Sequence, residues 1–383
     1  MKVTNVRTFL VCPGRGKNWL FVKVETDEGV HGWGECYTQA DRDRAIEIHV
    51  HQLGRYLAGR SPFNIKHFTF MAYHDFAGKR GSMDLYCAIS GIEQALWDIV
   101  GKSLNTPVYN LLGGACREKI RVYANGWSSG TIAPSVERAV QLVEQGFTAM
   151  KFDPFPGPWR THISRDDERT AVEYVSAVRQ AVGSDVDLLI EVHRRLAPDP
   201  AVRVANMMEE FQVFWYEEPV SARNLDALAE VRQSINLPVV TGEELYTKVE
   251  FRQVFEKRAA DILNPDVCNC GGILELKEIA AMAEPYLVAI SPHNYNSTTV
   301  GLAATIQACA VMPNFLITEY FVNFNECGDA ISINPLTVEK GYIQLPTAPG
   351  LGLALNEEAL AQYPYREFPQ RDLPQFNEEG PAT

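Results

Sequence analysis

The chain has 383 residues, more than one hydrophobic core serves well, so two domains are expected. Its 46% hydrophobic and 22% charged residues are ordinary for a soluble globular protein, and 48 acidic residues against 35 basic ones leave a net charge of −13. That balance argues against nucleic acid and membrane as partners. No run approaches the ~20 apolar residues of a membrane span, and the start Met1-Lys2-Val3-Thr4-Asn5-Val6 has no signal-peptide pattern. Eight scattered cysteines make neither a disulfide framework nor a zinc site, so a cytoplasmic location with reduced, mostly buried thiols is expected.

In chain order, residues 2–10 and 19–26 alternate as strands do, Asp27-Glu28-Gly29 makes a turn, and 30–35 follows as a third strand. Between the first two lies Cys12-Pro13-Gly14-Arg15-Gly16-Lys17-Asn18, by composition a mobile basic loop. From 42 to 100 the pattern is helical, with Ile89, Ile92, Ala95, Leu96 and Ile99 at i, i+3, i+4 spacing. Leu112-Gly113-Gly114 closes that segment. Beyond it short apolar strands alternate with amphipathic helices. The strands expected are 121–124, 149–152, 188–192, 213–217, 239–242, 262–264, 287–290 and 315–318. Eight such units read as a closed parallel (β/α)-barrel. An open doubly wound sheet is the alternative, weakened because no glycine-rich phosphate loop follows the first strand. The fold class is therefore α/β, a modified TIM barrel (119–345) with an N-terminal α+β capping domain (1–118). A Pro- and Glu-rich tail (346–383) is expected to return to the cap.

Catalytic groups of such barrels sit at the C-terminal strand ends. There the chain places Lys151-Phe152-Asp153, Glu191-Val192-His193, Glu217-Glu218-Pro219, Gly242-Glu243-Glu244, Asn264-Pro265-Asp266, Ser291-Pro292-His293 and Glu319. Glu191, Glu217 and Glu243 follow one another at intervals of 26 residues, about one βα unit, so three carboxylates reach the same height on neighbouring strands. Their mutual repulsion calls for a hard divalent cation, and Mg²⁺ suits oxygen ligands. Glu218 and Glu244 read as supporting or capping groups. His193 and His293 each end a strand beside that site, whereas His49, His51, His67 and His74 lie in the first domain with no supporting pattern. Asp266, one strand before His293, can accept a hydrogen bond from its ring, which orients an imidazole and raises its basicity.

These residues and several motifs resemble the mandelate racemase branch of the enolase superfamily, and within it the galactonate-dehydratase-like acid-sugar dehydratases. The resemblance covers nearly the whole chain. It rests on Thr26-Asp27-Glu28-Gly29-Val30, Gly32-Trp33-Gly34-Glu35, Ala88-Ile89-Ser90-Gly91-Ile92-Glu93-Gln94-Ala95-Leu96-Trp97-Asp98, Tyr216-Glu217-Glu218-Pro219 and Asn269-Cys270-Gly271-Gly272-Ile273. It implies that Glu191, Glu217 and Glu243 are the metal ligands, that Asp266 and His293 form the catalytic dyad, and that Glu319 hydrogen-bonds the substrate carboxylate. Lys151 matches the first lysine of the racemases' Lys-x-Lys motif, but Asp153 replaces the second. A base on that strand is then missing. The third-strand ligand, usually Asp, is here Glu191.

The chemistry implied is abstraction of the α-proton by His293, an enediolate stabilised by Mg²⁺, Lys151 and Glu319, and loss of the β-hydroxyl with a proton from His193. The product is a 2-keto-3-deoxy acid. An epimerase or cycloisomerase using both histidines as bases is one alternative; a non-catalytic sensor or scaffold is the other. Candidate specificity residues are Arg15, Lys17 and Trp19 on the basic loop, the stretch from Tyr37 to Arg42, and Trp159, Arg160 and His162 in the loop after the second barrel strand; Asp153 is a further substrate-binding candidate. The expected partners are a small acid-sugar substrate and further copies of the chain in a homo-oligomer.

Overall fold

The computed structural model describes residues 1–39, 41–77, 82–156, 163–295 and 297–368. Strands β1 (Val3–Gly14), β2 (Lys17–Thr26) and β3 (His31–Cys36) form an antiparallel meander in that order. β1 and β2 are longer than their composition suggests. The stretch expected to be a mobile loop is strand on both sides, with Gly14 paired to Lys17 and only Arg15-Gly16 left as the turn. Both turn residues have positive φ, 54° and 72°, a conformation that matches the twist of a two-residue hairpin. Pro and Gly marked a turn correctly but not its shortness. Trp19 therefore lies in strand, 1% exposed, between the rings of Phe21 and Phe324. It is a core residue, and the substrate-binding role expected for it is withdrawn.

Three helices cover the meander: α1 (Asp43–Leu57), α2 (Ile65–Met71) and α3 (Met83–Ser103). Their apolar faces meet Leu20, Val22 and Val24 in one core with Ile46, Val50, Leu53, Ile89, Ile92, Leu96 and Ile99. The Gly-Trp-Gly-Glu motif has a packing cause here. A Cβ on Gly32 would lie 2.0 Å from the carbonyl oxygen of Ala95, and one on Gly34 1.8 Å from that of Gly91. Glycine lets β3 lie directly on the backbone of α3.

After the short α4 (Val108–Leu111) the barrel begins. Its strands are β4 (Lys119–Asn125), β5 (Ala149–Phe152), β6 (Asp187–Glu191), β7 (Trp215–Glu217), β8 (Val239–Thr241), β9 (Ile262–Leu263), β10 (Ala289–Ile290) and β11 (Thr318–Phe321). The helices between them are α5 (Ile132–Glu144), α6 (Arg165–Val182), α7 (Pro198–Met208), α8 (Leu225–Ser234), α9 (Thr247–Lys257), α10 (Ile273–Ala283) and α11 (Val300–Cys309). Neighbouring strands from β4 to β10 are parallel, β11 pairs with β4, and Ile290 bridges to Phe315. The ring is thus closed, which disposes of the open sheet. The last two strands differ from expectation. Leu287 has φ 60° and is 93% exposed, so β10 starts only at Ala289. Phe315 contributes one bridge, and regular pairing resumes at Thr318.

A 3₁₀ turn (Val322–Phe324) and α12 (Asn325–Ile331) replace an eighth full barrel helix. The chain then adds β12 (Ser332–Ile333), β13 (Val338–Glu339) and β14 (Tyr342–Gln344), with β14 antiparallel to the foot of β4. After β15 (Ala354–Leu355) and α13 (Glu357–Leu360) the tail reaches the cap. Glu357 pairs with Arg7 at 2.9 Å, the Cys12 N–H donates to the Tyr363 carbonyl at 3.0 Å, and Asn18 Nδ2 donates to the Arg366 carbonyl at 2.8 Å. Among the described residues all eight cysteines are free, only Cys116 is exposed, and no helix is long and apolar enough to cross a membrane.

Candidate active site

Alternation along the strands builds the site. Tyr123, Ala149, Leu189, Trp215, Val240, Ile262 and Ile317 point inward and fill the barrel with one buried apolar layer. Two residues further along β4, β5, β6, β7 and β11 the next inward positions are Asn125, Lys151, Glu191, Glu217 and Glu319. A polar layer therefore rests on a dry floor. Glu191 and Glu217 are register partners, and with Glu243 they bring one oxygen each within 4.8 Å of one another.

The electrostatics fit a divalent cation. Burial, then the neighbouring Glu243, raises Glu191 to about 7; burial and Glu191 raise Glu217 well above the carboxylate range. Among the described residues Glu191 Oε2 is buried without a hydrogen-bond partner, with Lys151 Nζ 3.7 Å away. The other oxygens are supported. Glu217 accepts from Lys151 (2.8 Å), Asn264 (2.9 Å) and the Trp215 indole (3.0 Å), and Glu191 accepts from the His193 N–H at 2.6 Å. Glu243 pairs with Arg194, while its other oxygen lies 3.1 Å from His293 Nε2. Burial alone would raise Glu243, but His293 and Arg194 outweigh it and hold the group below the usual range. Three oxygen donors with one lone oxygen among them are what a hard cation would join. Glu218 turns instead into the wall, accepting from Thr241 Oγ1 and the Gly242 N–H, and Glu244 meets Arg194 at 3.3 Å.

Lys151 also touches Glu319 at 2.9 Å. Burial would lower the lysine, yet Glu217 and Glu319 keep it well above its ordinary value. Glu319 accepts further from Asn125 (2.6 Å) and the Asn294 N–H (2.9 Å). Against the upward push of burial, Lys151 and His293 lower it.

His293 Nδ1 lies 2.8 Å from Asp266 Oδ2, and the two residues form a parallel bridge between their strand ends. Desolvation lowers the ring, but Glu319, Glu243 and Asp266 raise it to about 9. His193 Nδ1 lies 2.7 Å from Asp153 Oδ2, and Arg195 binds the same oxygen. Asp153 thus contacts His193 and Arg195, where the sequence had suggested substrate.

The model described as Mandelate racemase / muconate lactonizing enzyme, N-terminal domain matches residues 14–113, and that described as Enolase C-terminal domain-like matches 135–359. The chain belongs to the mandelate racemase/muconate lactonizing enzyme family. Among its relatives, D-galactonate dehydratase of Variovorax paradoxus is 35% identical, with 94% of each chain covered. D-gluconate dehydratase of Thermoproteus tenax is 35% identical over 90% of this chain and 69% of its own. D-gluconate/D-galactonate dehydratase of Picrophilus torridus is 34% identical over 95% and 91%. The solved structure of the mandelate racemase/muconate lactonizing enzyme from Sulfitobacter sp superposes with a TM-score of 0.89 at 34% identity, covering 96% of both chains.

The cap and the barrel each contribute one aromatic ring beside His293. Tyr37 stacks on Tyr295 at 5.1 Å, and Tyr295 stacks on His293 at 6.0 Å. Lys17 lies beneath them, its Nζ 3.7 Å from the Tyr295 ring centre and donating to the Tyr295 carbonyl at 3.2 Å. Burial lowers Lys17 to about 7 against the raising influence of Glu35 and Asp266. Lys17 is therefore packed behind the dyad instead of reaching out from a loop. Arg15 is exposed at the hairpin tip, and the site contacts among the described residues do not include it. Arg42 is paired with Asp84. Trp159, Arg160 and His162 lie outside the described residues. Sequence reasoning missed Arg194, Arg195, Asn125 and Tyr295. Only Asn125 carried a usable signal, as a polar residue closing the first barrel strand.

Proposed function

We propose that the protein dehydrates an acid sugar, an aldonate or aldarate, to a 2-keto-3-deoxy acid with Mg²⁺ held by Glu191, Glu217 and Glu243. It is a carbon–oxygen hydro-lyase. The observation that carries the reading is the pair of imidazoles on β6 and β10, four strands apart on an eight-stranded ring and so on opposite sides of the carboxylate cluster. Bound there, the cation supplies positive charge to the substrate carboxylate and so acidifies its α-carbon.

The chain's own residues do the rest. His293, backed by Asp266, accepts the α-proton at Nε2. Lys151 places a fixed positive charge where the enediolate gathers negative charge. Glu319 is a carboxylate beside Lys151 and His293, so an incoming substrate carboxylate adds a second negative charge, and one proton taken up from solvent on binding and shared between the two relieves the repulsion. His193 donates a proton to the departing β-hydroxyl. The C–O electron pair leaves with the oxygen as water, and the resulting enol tautomerises to the ketone.

An epimerase reading draws on the fact that both imidazoles have a carboxylate partner, as two bases would. One experiment separates them. The purified protein is incubated with mono- and diacid sugars and Mg²⁺ in D₂O. A dehydratase yields a product that forms a semicarbazone; an epimerase yields only deuterated epimer. Turnover that is unchanged after chelation and removal of all divalent metal would overturn the cation assignment.

A further inference from the structure

The two histidines are held by the same device. Asp266 Oδ1 accepts the N–H of Cys268, two residues on, at 2.8 Å, and its Oδ2 meets His293 Nδ1 at 2.8 Å. Asp153 Oδ1 accepts the N–H of Phe155, two residues on, at 2.9 Å, and its Oδ2 meets His193 Nδ1 at 2.7 Å. In each case the aspartate follows one strand (β5, β9) and the histidine follows the next (β6, β10). The second pair is the first one repeated four strands around the ring.

Each aspartate also has a further anchor. For Asp266 it is the Tyr295 N–H at 3.1 Å. For Asp153 it is Arg195, whose other terminal nitrogen donates to the Phe155 carbonyl at 2.8 Å and whose side chain is 4% exposed. One guanidinium thus holds both the carboxylate and the backbone two residues later. The histidine is constrained from the chain side as well. His193 and Arg194 adopt φ of 53° and 64°, a left-handed conformation that side chains other than glycine enter at a cost. That bend survives because the His193 N–H is fixed to Glu191 and the Arg194 N–H to the Glu218 carbonyl at 2.7 Å.

We infer that Asp153, clamped by Arg195, is the positioning residue of the acid, a counterpart to Asp266 that sets which nitrogen of His193 delivers the proton. The inference rests on the dehydratase reading and deepens it. When the doubly protonated ring gives up its Nε2 proton to the leaving hydroxyl, the neutral ring that remains carries its hydrogen on Nδ1. Asp153 already accepts that hydrogen. The imidazole therefore does not have to turn or exchange tautomers during the step. Charge balances: His293 gains one proton, His193 loses one, and water leaves. Aspartate at 153, where a racemase of this branch would carry a lysine base, thereby takes up a role in leaving-group departure.

Asp153→Asn keeps the shape and removes the obligate acceptor. Three rates are compared with wild type: water loss from the acid sugar that wild type turns over, fluoride loss from its 3-deoxy-3-fluoro analogue, and α-proton exchange in D₂O. Fluoride leaves as an anion and needs far less help from an acid. Water loss is expected to fall about 10²-fold or more, within the roughly 10²–10⁴ that general acid help is worth. Fluoride loss and exchange stay within a few-fold, and their retention shows that the barrel and His293 side are intact. Arg195→Lys gives a smaller loss with the same selectivity. In ¹⁵N-histidine spectra of the wild type, Nδ1 of His193 shows the signature of a hydrogen bond to a carboxylate, and the variant lacks it. A uniform fall in all three rates, or unchanged water loss, overturns the inference while leaving the dehydratase reading standing. A wild type that eliminates neither water nor fluoride from any acid sugar removes that reading and the inference with it.

Discussion

Two sides of one barrel mouth carry the same local motif in different surroundings. The His293 side chain is 5% exposed, under the Tyr37 and Tyr295 rings from the cap side, and its Nε2 lies near both Glu243 and Glu319. The His193 side chain is 35% exposed. A base that must take a proton from carbon works against competition from water, so burial and flanking carboxylates serve it. An acid whose product is a water molecule needs a neighbourhood that water can leave. On the proposed roles, the same His–Asp geometry is set to opposite duties by burial and by the carboxylates beside His293, which the linear spacing of the residues does not encode.

The largest expected effect belongs to what the two sides share. Glu217→Gln removes one carboxylate oxygen while Lys151 stays, and both α-proton exchange and dehydration should drop below detection. Calorimetric titration with Mg²⁺ should show no binding at concentrations that saturate wild type; tight binding with full turnover would remove Glu217 from the site.

Next come the histidines, one side at a time. His293→Asn should lose exchange and dehydration together, by about 10³-fold or more, within the scale of general acid–base help. His193→Asn should lose dehydration but keep exchange. The reverse pattern would exchange the two duties, and equal losses in both variants would erase the distinction between the sides.

A smaller effect concerns the pH dependence of the proposed cation binding. Burial and Glu243 raise Glu191 to about 7 from an ordinary value near 4.5. Between those values the cation-free folded protein binds more protons than the unfolded chain, so its stability falls as pH rises through that window. A cation displaces the proton and cancels the penalty. The rise in Tm on adding Mg²⁺ should therefore grow from pH 5 to pH 8. An increment that is flat or shrinks with pH would show that Glu191 holds no such proton.

The smallest effect is expected at the hairpin tip. Arg15→Ala should change stability by less than about 0.5 kcal/mol and turnover by less than twofold, whereas Trp19→Ala should cost about 3–5 kcal/mol in a denaturant titration. A large loss of turnover in the Arg15 variant would extend the His293 side outward to the surface of the cap.

Much of this was legible in the chain, for identifiable reasons. The cluster of three carboxylates could be read because strand plus helix repeats at a nearly constant length, so Glu191 and Glu217 fall in register across β6 and β7. His293 and Asp266 could be paired because both end adjacent strands. The hairpin was misread because Pro13, Gly14 and Gly16 signal a loop of any length, while the register that shortens it comes from Lys17 pairing with Gly14. Arg195 was invisible because its use depends on the two left-handed residues before it, and that bend is held in part by the Glu218 carbonyl, which lies on the next strand and outside the local sequence.

The tail that returns to the cap has a consequence for how the protein is made. Asn18 is held by the Arg366 carbonyl, 348 positions later in the chain. Domains emerge and fold from the N-terminus during synthesis, yet the edge strand β1 cannot take up its pairing at Val11 and Cys12 until the barrel and the tail have been translated. Throughout synthesis of the barrel the nascent chain therefore carries an unfinished first sheet. Lys17 and Trp19 likewise reach their contacts with Tyr295 and Phe324 only after roughly 280 to 300 further residues have been made.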